Sequence, residues 1–171
     1  MATTYTLIAS NTLSSSAASV TFSAIPGTYT DLVLRASIRS TEASTGKAIR
    51  IEFNADSSAI YSVTRINGSG SAASSSRRTD YSFIDGYTAD ADNNTANTYS
   101  SLELYLSNYT STKNKLMSIF HAQENNTTAA EMNAIAGLYG NTSAITSIKL
   151  NFASLDIKAG SSFFLYGIKN S

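Results

Sequence analysis

Apolar side chains recur at every second position over most of the chain, which is the period of a half-buried strand and not of a helix. Over residues 30–40, Leu32, Leu34, Ala36 and Ile38 share one face, and Val33, Arg35, Ser37 and Arg39 the other. Over residues 48–54, Ile49, Ile51 and Phe53 oppose Arg50 and Glu52. Over residues 99–108, Leu102, Leu104 and Leu106 alternate with Glu103, Tyr105 and Ser107. Over residues 145–152, Ile148, Leu150 and Phe152 alternate with Ser147, Lys149 and Asn151. One apolar and one polar face predict antiparallel sheet with one side in water.

Weaker strand patterns cover residues 5–9, 19–23, 60–66, 81–87, 115–123, 132–139 and 162–168. Residues 116–120 and 163–168 are apolar on both faces and read as more deeply buried. Turn chemistry separates these runs: Pro26-Gly27, Asn67-Gly68-Ser69-Gly70, Asp92-Asn93-Asn94, Asn125-Asn126 and Gly140-Asn141. The best helical window, residues 129–136, is followed by Gly137 and suits a strand equally well. The fold class is therefore all-β, an antiparallel β-sandwich or barrel of about 8–10 strands, with two packed sheets the natural way to bury one-sided strands. No domain boundary interrupts residues 1–171, and residues 1–16 form either a docking arm or the first strand. Residues 67–76, NGSGSAASSS, have no core-forming side chain and read as a mobile surface loop ending at the exposed pair Arg77-Arg78.

Composition narrows the function. Twelve basic residues balance twelve acidic ones and no basic run exceeds two residues, so nucleic acid is not an expected partner. Charged residues are 14% of the chain, well under the usual share, whereas Ser, Thr and Asn fill 63 positions. Hydroxyls and amides thus carry solubility. Apolar runs of four or five residues are too short to span a membrane as a helix, and no membrane partner is expected. The N-terminal residues lack the basic-then-apolar pattern of a signal peptide, and there is no cysteine, which fits cytosolic synthesis.

Candidate chemistry is sparse. His121, the one imidazole, has no G-x-S-x-G elbow to serve and reads as a structural or surface residue. Asp85, Asp90, Asp92 and Glu103 are the only local group of acids and read as solvated turn residues. Asp90, Asp92 and Asn94 begin like a calcium loop, but Thr95 and Ser101 stand where Gly and Glu are required. No catalytic residue, cofactor or metal ligand is expected. Tyrosine is the suggestive type, because it brings apolar area and one hydrogen bond to an interface at low entropic cost. Tyr5, Tyr87, Tyr105 and Tyr109, together with Arg77 and Arg78, are the expected interface residues.

The stretch Thr4-Tyr5-Thr6-Leu7-Ile8, and then Ala18-Ser19-Val20-Thr21-Phe22-Ser23-Ala24-Ile25-Pro26-Gly27-Thr28-Tyr29-Thr30-Asp31-Leu32, resembles the opening of a family of tailed-bacteriophage virion proteins common in aquatic phages. Asn108-Tyr109-Thr110-Ser111-Thr112-Lys113-Asn114-Lys115, Ala144-Ile145-Thr146-Ser147-Ile148 and Leu165-Tyr166-Gly167-Ile168-Lys169-Asn170-Ser171 are similar to later segments of the same family. The resemblance implies a jelly-roll-like β-sandwich built into the particle, without enzymatic activity. It would be a capsid decoration (cement) protein that bridges major capsid subunits. A homotrimer suits threefold capsid positions. The alternative is a tail-fibre or appendage module binding a host-surface glycan, with residues 67–78 and 85–97 as the loops that would hold the sugar. A depolymerase would need paired carboxylates in one cleft.

Overall fold

The computed structural model describes residues 4–126 and 130–169, and among these there is no helix. Thirteen strands are formed: β1 (Tyr5–Thr12), β2 (Ser19–Phe22), β3 (Asp31–Ile38), β4 (Lys47–Ala48), β5 (Arg50–Phe53), β6 (Tyr61–Gly68), β7 (Ala73–Tyr81), β8 (Thr88–Ala89), β9 (Ser100–Leu106), β10 (Lys115–Glu124), β11 (Ala130–Tyr139), β12 (Ile148–Asn151) and β13 (Ser162–Ile168). Five of them are only two to four residues long, which is why the number exceeds the eight to ten expected from periodicity. The architecture is an antiparallel β-sandwich. Eight strands form the larger sheet in the order β1-β13-β3-β9-β10-β11-β6-β7, and β2-β12-β5 form the smaller one. A third, two-stranded sheet is formed by β4 and β8, with Ala89 of β8 packed in the core.

Alternation explains the packing. In the large sheet Leu165, Leu34, Leu104, Ile119 and Ile135 are directly opposite one another on five successive strands, and all point inward. In the small sheet Ile148 lies between Phe22 and Phe53, and Leu150 between Val20 and Ile51. These residues belong to one hydrophobic cluster, so the two inner faces share a single core. Aligned β-branched and Leu side chains stabilise neighbouring strands, each pair contributing about 0.2–1 kcal/mol.

One end of the core is aromatic. Phe53, Tyr61 and Tyr139 stack with ring centroids 4.9–6.3 Å apart, linking β5 to β6 and β11. The Tyr61 hydroxyl accepts the Phe53 N–H at 3.1 Å and donates to the Asp56 carbonyl at 2.9 Å. The Tyr139 hydroxyl donates to the Asp56 carboxylate at 3.0 Å. Burial, then the hydrogen bond to Asp56, pushes the Tyr139 hydroxyl up to about 12. On β13, Gly167 meets the ring of Tyr29 so closely that a β-carbon there would sit inside the ring, so only glycine fits.

Several sequence expectations change. Residues 67–76 are not a mobile loop. Strand β6 continues to Gly68 and β7 starts at Ala73, leaving a short turn with Gly70 at φ +81°. The reason is that β7 is an edge strand exposed nearly throughout. Its serines need no core to point into, and the backbone ladder to β6 holds them. The strand expected over residues 81–87 is not formed: Tyr81 closes β7, and beyond it only an isolated bridge between Ile51 and Ile84 remains. Of the expected arm, Tyr5–Thr12 is the first strand, paired with β13 and bulged between Leu7 and Ala9. Met1, Ala2 and Thr3 of that arm, Ala129 of the ambiguous window, and Asn170 and Ser171 lie outside the described residues.

Candidate docking face

The inner face of the large sheet is covered; the outer face is open over β9, β10, β11, β6 and β7, whereas at β3 its Asp31 and Val33 are buried. Because side chains alternate, residues directly opposite across the ladder share a face. One outer row runs Ser75, Ile66, Ala134, Phe120, Glu103, Arg35 and Phe164, from β7 to β13. The adjacent row runs Arg77, Thr64, Ala136, Ser118, Tyr105, Val33, Tyr166 and Leu7. Among the described residues seven large hydrophobic side chains are exposed: Tyr5, Leu7, Ile66, Tyr105, Leu116, Phe120 and Met132. All seven lie on this one face, at 36–65% exposure. Isolated exposed apolar residues are ordinary, but their confinement to one face of one sheet marks a binding face.

The charge is arranged around the apolar part. Between the Glu103 column on β9 and the Arg77 column on β7, the outward residues over 116–122 of β10, 132–138 of β11 and 62–68 of β6 carry no charge. On the β9 side, Arg35 donates to Glu103 at 2.7 Å, and its guanidinium lies 5.9 Å from the centre of the Tyr5 ring. The Tyr105 hydroxyl donates to Asp31 at 2.6 Å, and that bond, with burial second, raises the phenol to about 12. Asp31 also accepts the Asn108 N–H at 2.8 Å, so Tyr105 is fixed in position.

The expected interface residues divide. Tyr5 and Tyr105 are on this face, and Arg77 is at its β7 margin. Arg78 points to the other side of β7, where its guanidinium donates to both oxygens of Asp85 at 2.9 and 2.7 Å. Tyr87 and Tyr109 are not interface residues: they are 1% and 0% exposed. Tyr87 packs on the His121 ring at 5.5 Å, and Tyr109 reaches inward to the Pro26 carbonyl. Both follow turns that fold them back over the core, which their local sequence does not reveal. Leu116 and Phe120, expected to be buried, are among the most exposed apolar residues. The inward phase of β10 belongs instead to Met117, Ile119, His121 and Gln123. Ile66, Leu116, Phe120 and Met132 were the residues missed, and the doubly apolar pattern of residues 116–120 was their one signal.

The remaining polar candidates sit elsewhere. His121 is 2% exposed, and burial holds its imidazole down to about 4, with the Asp90 charge opposing in part. Its Nδ1 lies 3.5 Å from the Asn133 amide nitrogen. One oxygen of buried Asp90 accepts bonds from the amides of Asn94, Gln123 and Asn125. The four clustered acids are drawn to different partners: Asp85 to Arg78, Asp90 to these amides, Asp92 to Lys158, and Glu103 to Arg35. Among the described residues no group of three or more His, Cys, Asp or Glu is placed to hold a metal ion. A cleft of about 420 Å³, lined by Thr45, Ser69, Ser71, Thr88, Gln123 and Glu131 among others, lies where the two loops proposed for a sugar approach each other. No aromatic ring lines it, so a sugar there would have nothing to stack on.

No family model matches the chain, and no similar curated protein or solved structure is found.

Proposed function

We propose that this chain is a non-enzymatic structural protein of a tailed-phage virion, a capsid decoration (cement) protein that bridges neighbouring major capsid subunits. The observation that carries the reading is the outer face of the large sheet, where every exposed large hydrophobic among the described residues is gathered. An apolar surface of this kind is held in water only at a cost that assembly removes. The resemblance of the N-terminal, central and C-terminal strings to virion proteins supplies the context. The rest of the surface is rich in hydroxyls and amides and low in charge, which lowers the desolvation cost of broad polar contacts with many identical neighbours. Synthesis in the host cytoplasm and residence on the capsid surface follow from the same reading.

Intact particles labelled with a gold-tagged antibody against the chain test it directly. Label spread over the head is the expected result, together with heads that rupture at lower temperature when the chain is omitted. Label confined to the tail would move the assignment to an appendage module, with a glycan array on the purified chain as the next step. Particles without label would overturn the virion reading.

A further inference from the structure

We propose that the partner covering the outer face is a second copy of this chain, in a two-fold dimer whose axis lies in the interface, over β11 and parallel to it. This rests on the reading of that face as an assembly surface and names what occupies it. Three observations point to a second copy.

The first is that the centre of the face is compatible with itself. An isologous contact lays a patch against its own image, so any charge at the centre would meet its like. The outward residues over 116–122 of β10, 132–138 of β11 and 62–68 of β6 are uncharged, and Glu124, at the far end of β10, is the one outward charge on these three strands.

The second is the pairing produced by a two-fold axis that runs along β11. Strands β10 and β6 flank β11, and Phe120, Ala134 and Ile66 lie in one row. A rotation about β11 therefore places Phe120 over Ile66 of the second copy, with the small Ala134 at the centre. Met132, on β11 itself, lies over its own image. The charges then fall into favourable positions. Arg77 and Tyr105 share a row, each two strands from β11, and Glu103 is in the next row on the Tyr105 side. The same rotation brings Arg77 over the Tyr105 ring of the second copy and beside its Glu103.

The third is area. The five strands from β9 to β7, at about 4.8 Å spacing, and seven residues, at about 3.4 Å each, span about 24 by 24 Å. That buries roughly 1,200 Å² in total, the lower end for a specific interface and the size of a reversible dimer. A two-fold axis along β11 aligns the strands of the two sheets, inside the roughly 30° within which aligned sheets pack. A dimer also gives bridging a simple form, since each copy can hold one capsid subunit through its remaining surface.

Sedimentation velocity on the purified full chain, from about 1 to 500 µM, is the first measurement. The expected result is a reversible dimer with a dissociation constant of roughly 1–100 µM. Phe120→Glu should weaken it at least about tenfold while leaving the far-UV circular dichroism and melting temperature near those of the parent, since Phe120 is more than half exposed. The chain has no cysteine, so Met132→Cys provides a second readout. With a mild added oxidant, the two introduced thiols at the axis should join as a disulfide, each giving up a proton and an electron to the oxidant. Leu7→Cys, five strands from the axis, should not cross-link. A monomer at every concentration, or a trimer indifferent to Phe120→Glu, overturns the dimer. If the chain is monomeric but Phe120→Glu abolishes its incorporation into particles, the dimer fails and the assembly face stands. If incorporation is also unchanged, both fail.

Discussion

His121 allows a sharp test of how the sandwich is packed, because it is the only imidazole in the chain and its signal cannot be confused with another. It lies on the inward face of β10, 2% exposed, with the tilted Tyr87 ring packed against it and Asn133 beside Nδ1. Burial lowers its pKa from 6.5 to about 4, and Asp90 offsets part of that. The unfolded chain takes up a proton near pH 6.5, whereas the folded chain does not until about pH 4. Stability from this group is therefore fully present above pH 6.5 and is lost as the pH falls toward 4. Each unit of pKa difference corresponds to about 1.4 kcal/mol, so the whole window is worth on the order of 3 kcal/mol. Urea denaturation of the parent and of His121→Gln at half-unit steps from pH 7.5 to 4 would isolate it. The difference between the two curves removes the carboxylates, which titrate in both. The parent should lose stability with a slope approaching 1.4 kcal/mol per pH unit relative to the variant. Proton NMR of the imidazole should show a midpoint near 4, and Asp90→Asn should move it lower. A midpoint at or above 6.5, or identical slopes in parent and variant, would refute the burial argument.

Core and docking face should respond oppositely to truncation. Leu104→Ala, at a fully buried position, should cost about 2–5 kcal/mol in chemical denaturation, and Phe120→Ser no more than about 0.5 kcal/mol. Tyr61→Phe leaves the buried Phe53 N–H without its acceptor and should cost about 1–3 kcal/mol, measured the same way. Gly167→Ala drives a methyl into the Tyr29 ring and should cost about 1–3 kcal/mol or more, whereas Gly68→Ala, with nothing within 4 Å, should leave the melting temperature nearly unchanged.

Much of the fold was legible because alternation is a local property. The inward phases read for residues 30–40, 48–54, 99–108 and 145–152 are those the structure buries, and Leu34, Ile51, Leu104 and Leu150 are all fully covered. A strand with one apolar face leaves a single way to turn it. Where the sequence is apolar on both faces, or on neither, that logic stops. In β10 both Leu116/Phe120 and Met117/Ile119 could have faced the core, and the choice depends on which face of the sheet the small sheet covers. In β7 a run of serine and arginine carries no hydrophobic signal, yet the strand forms because the β6 backbone offers unpaired N–H and C=O groups. Tyr87 and Tyr109 are buried by the course of the chain after a turn, a matter of distant contacts with His121 and Pro26. The chain's own pattern thus determined that it is an antiparallel β protein and how its one-sided strands face. The docking surface arose from eight strands meeting in one order, because neighbours across a sheet are brought together by hydrogen bonds between residues up to 163 positions apart, as Tyr5 and Ile168 are.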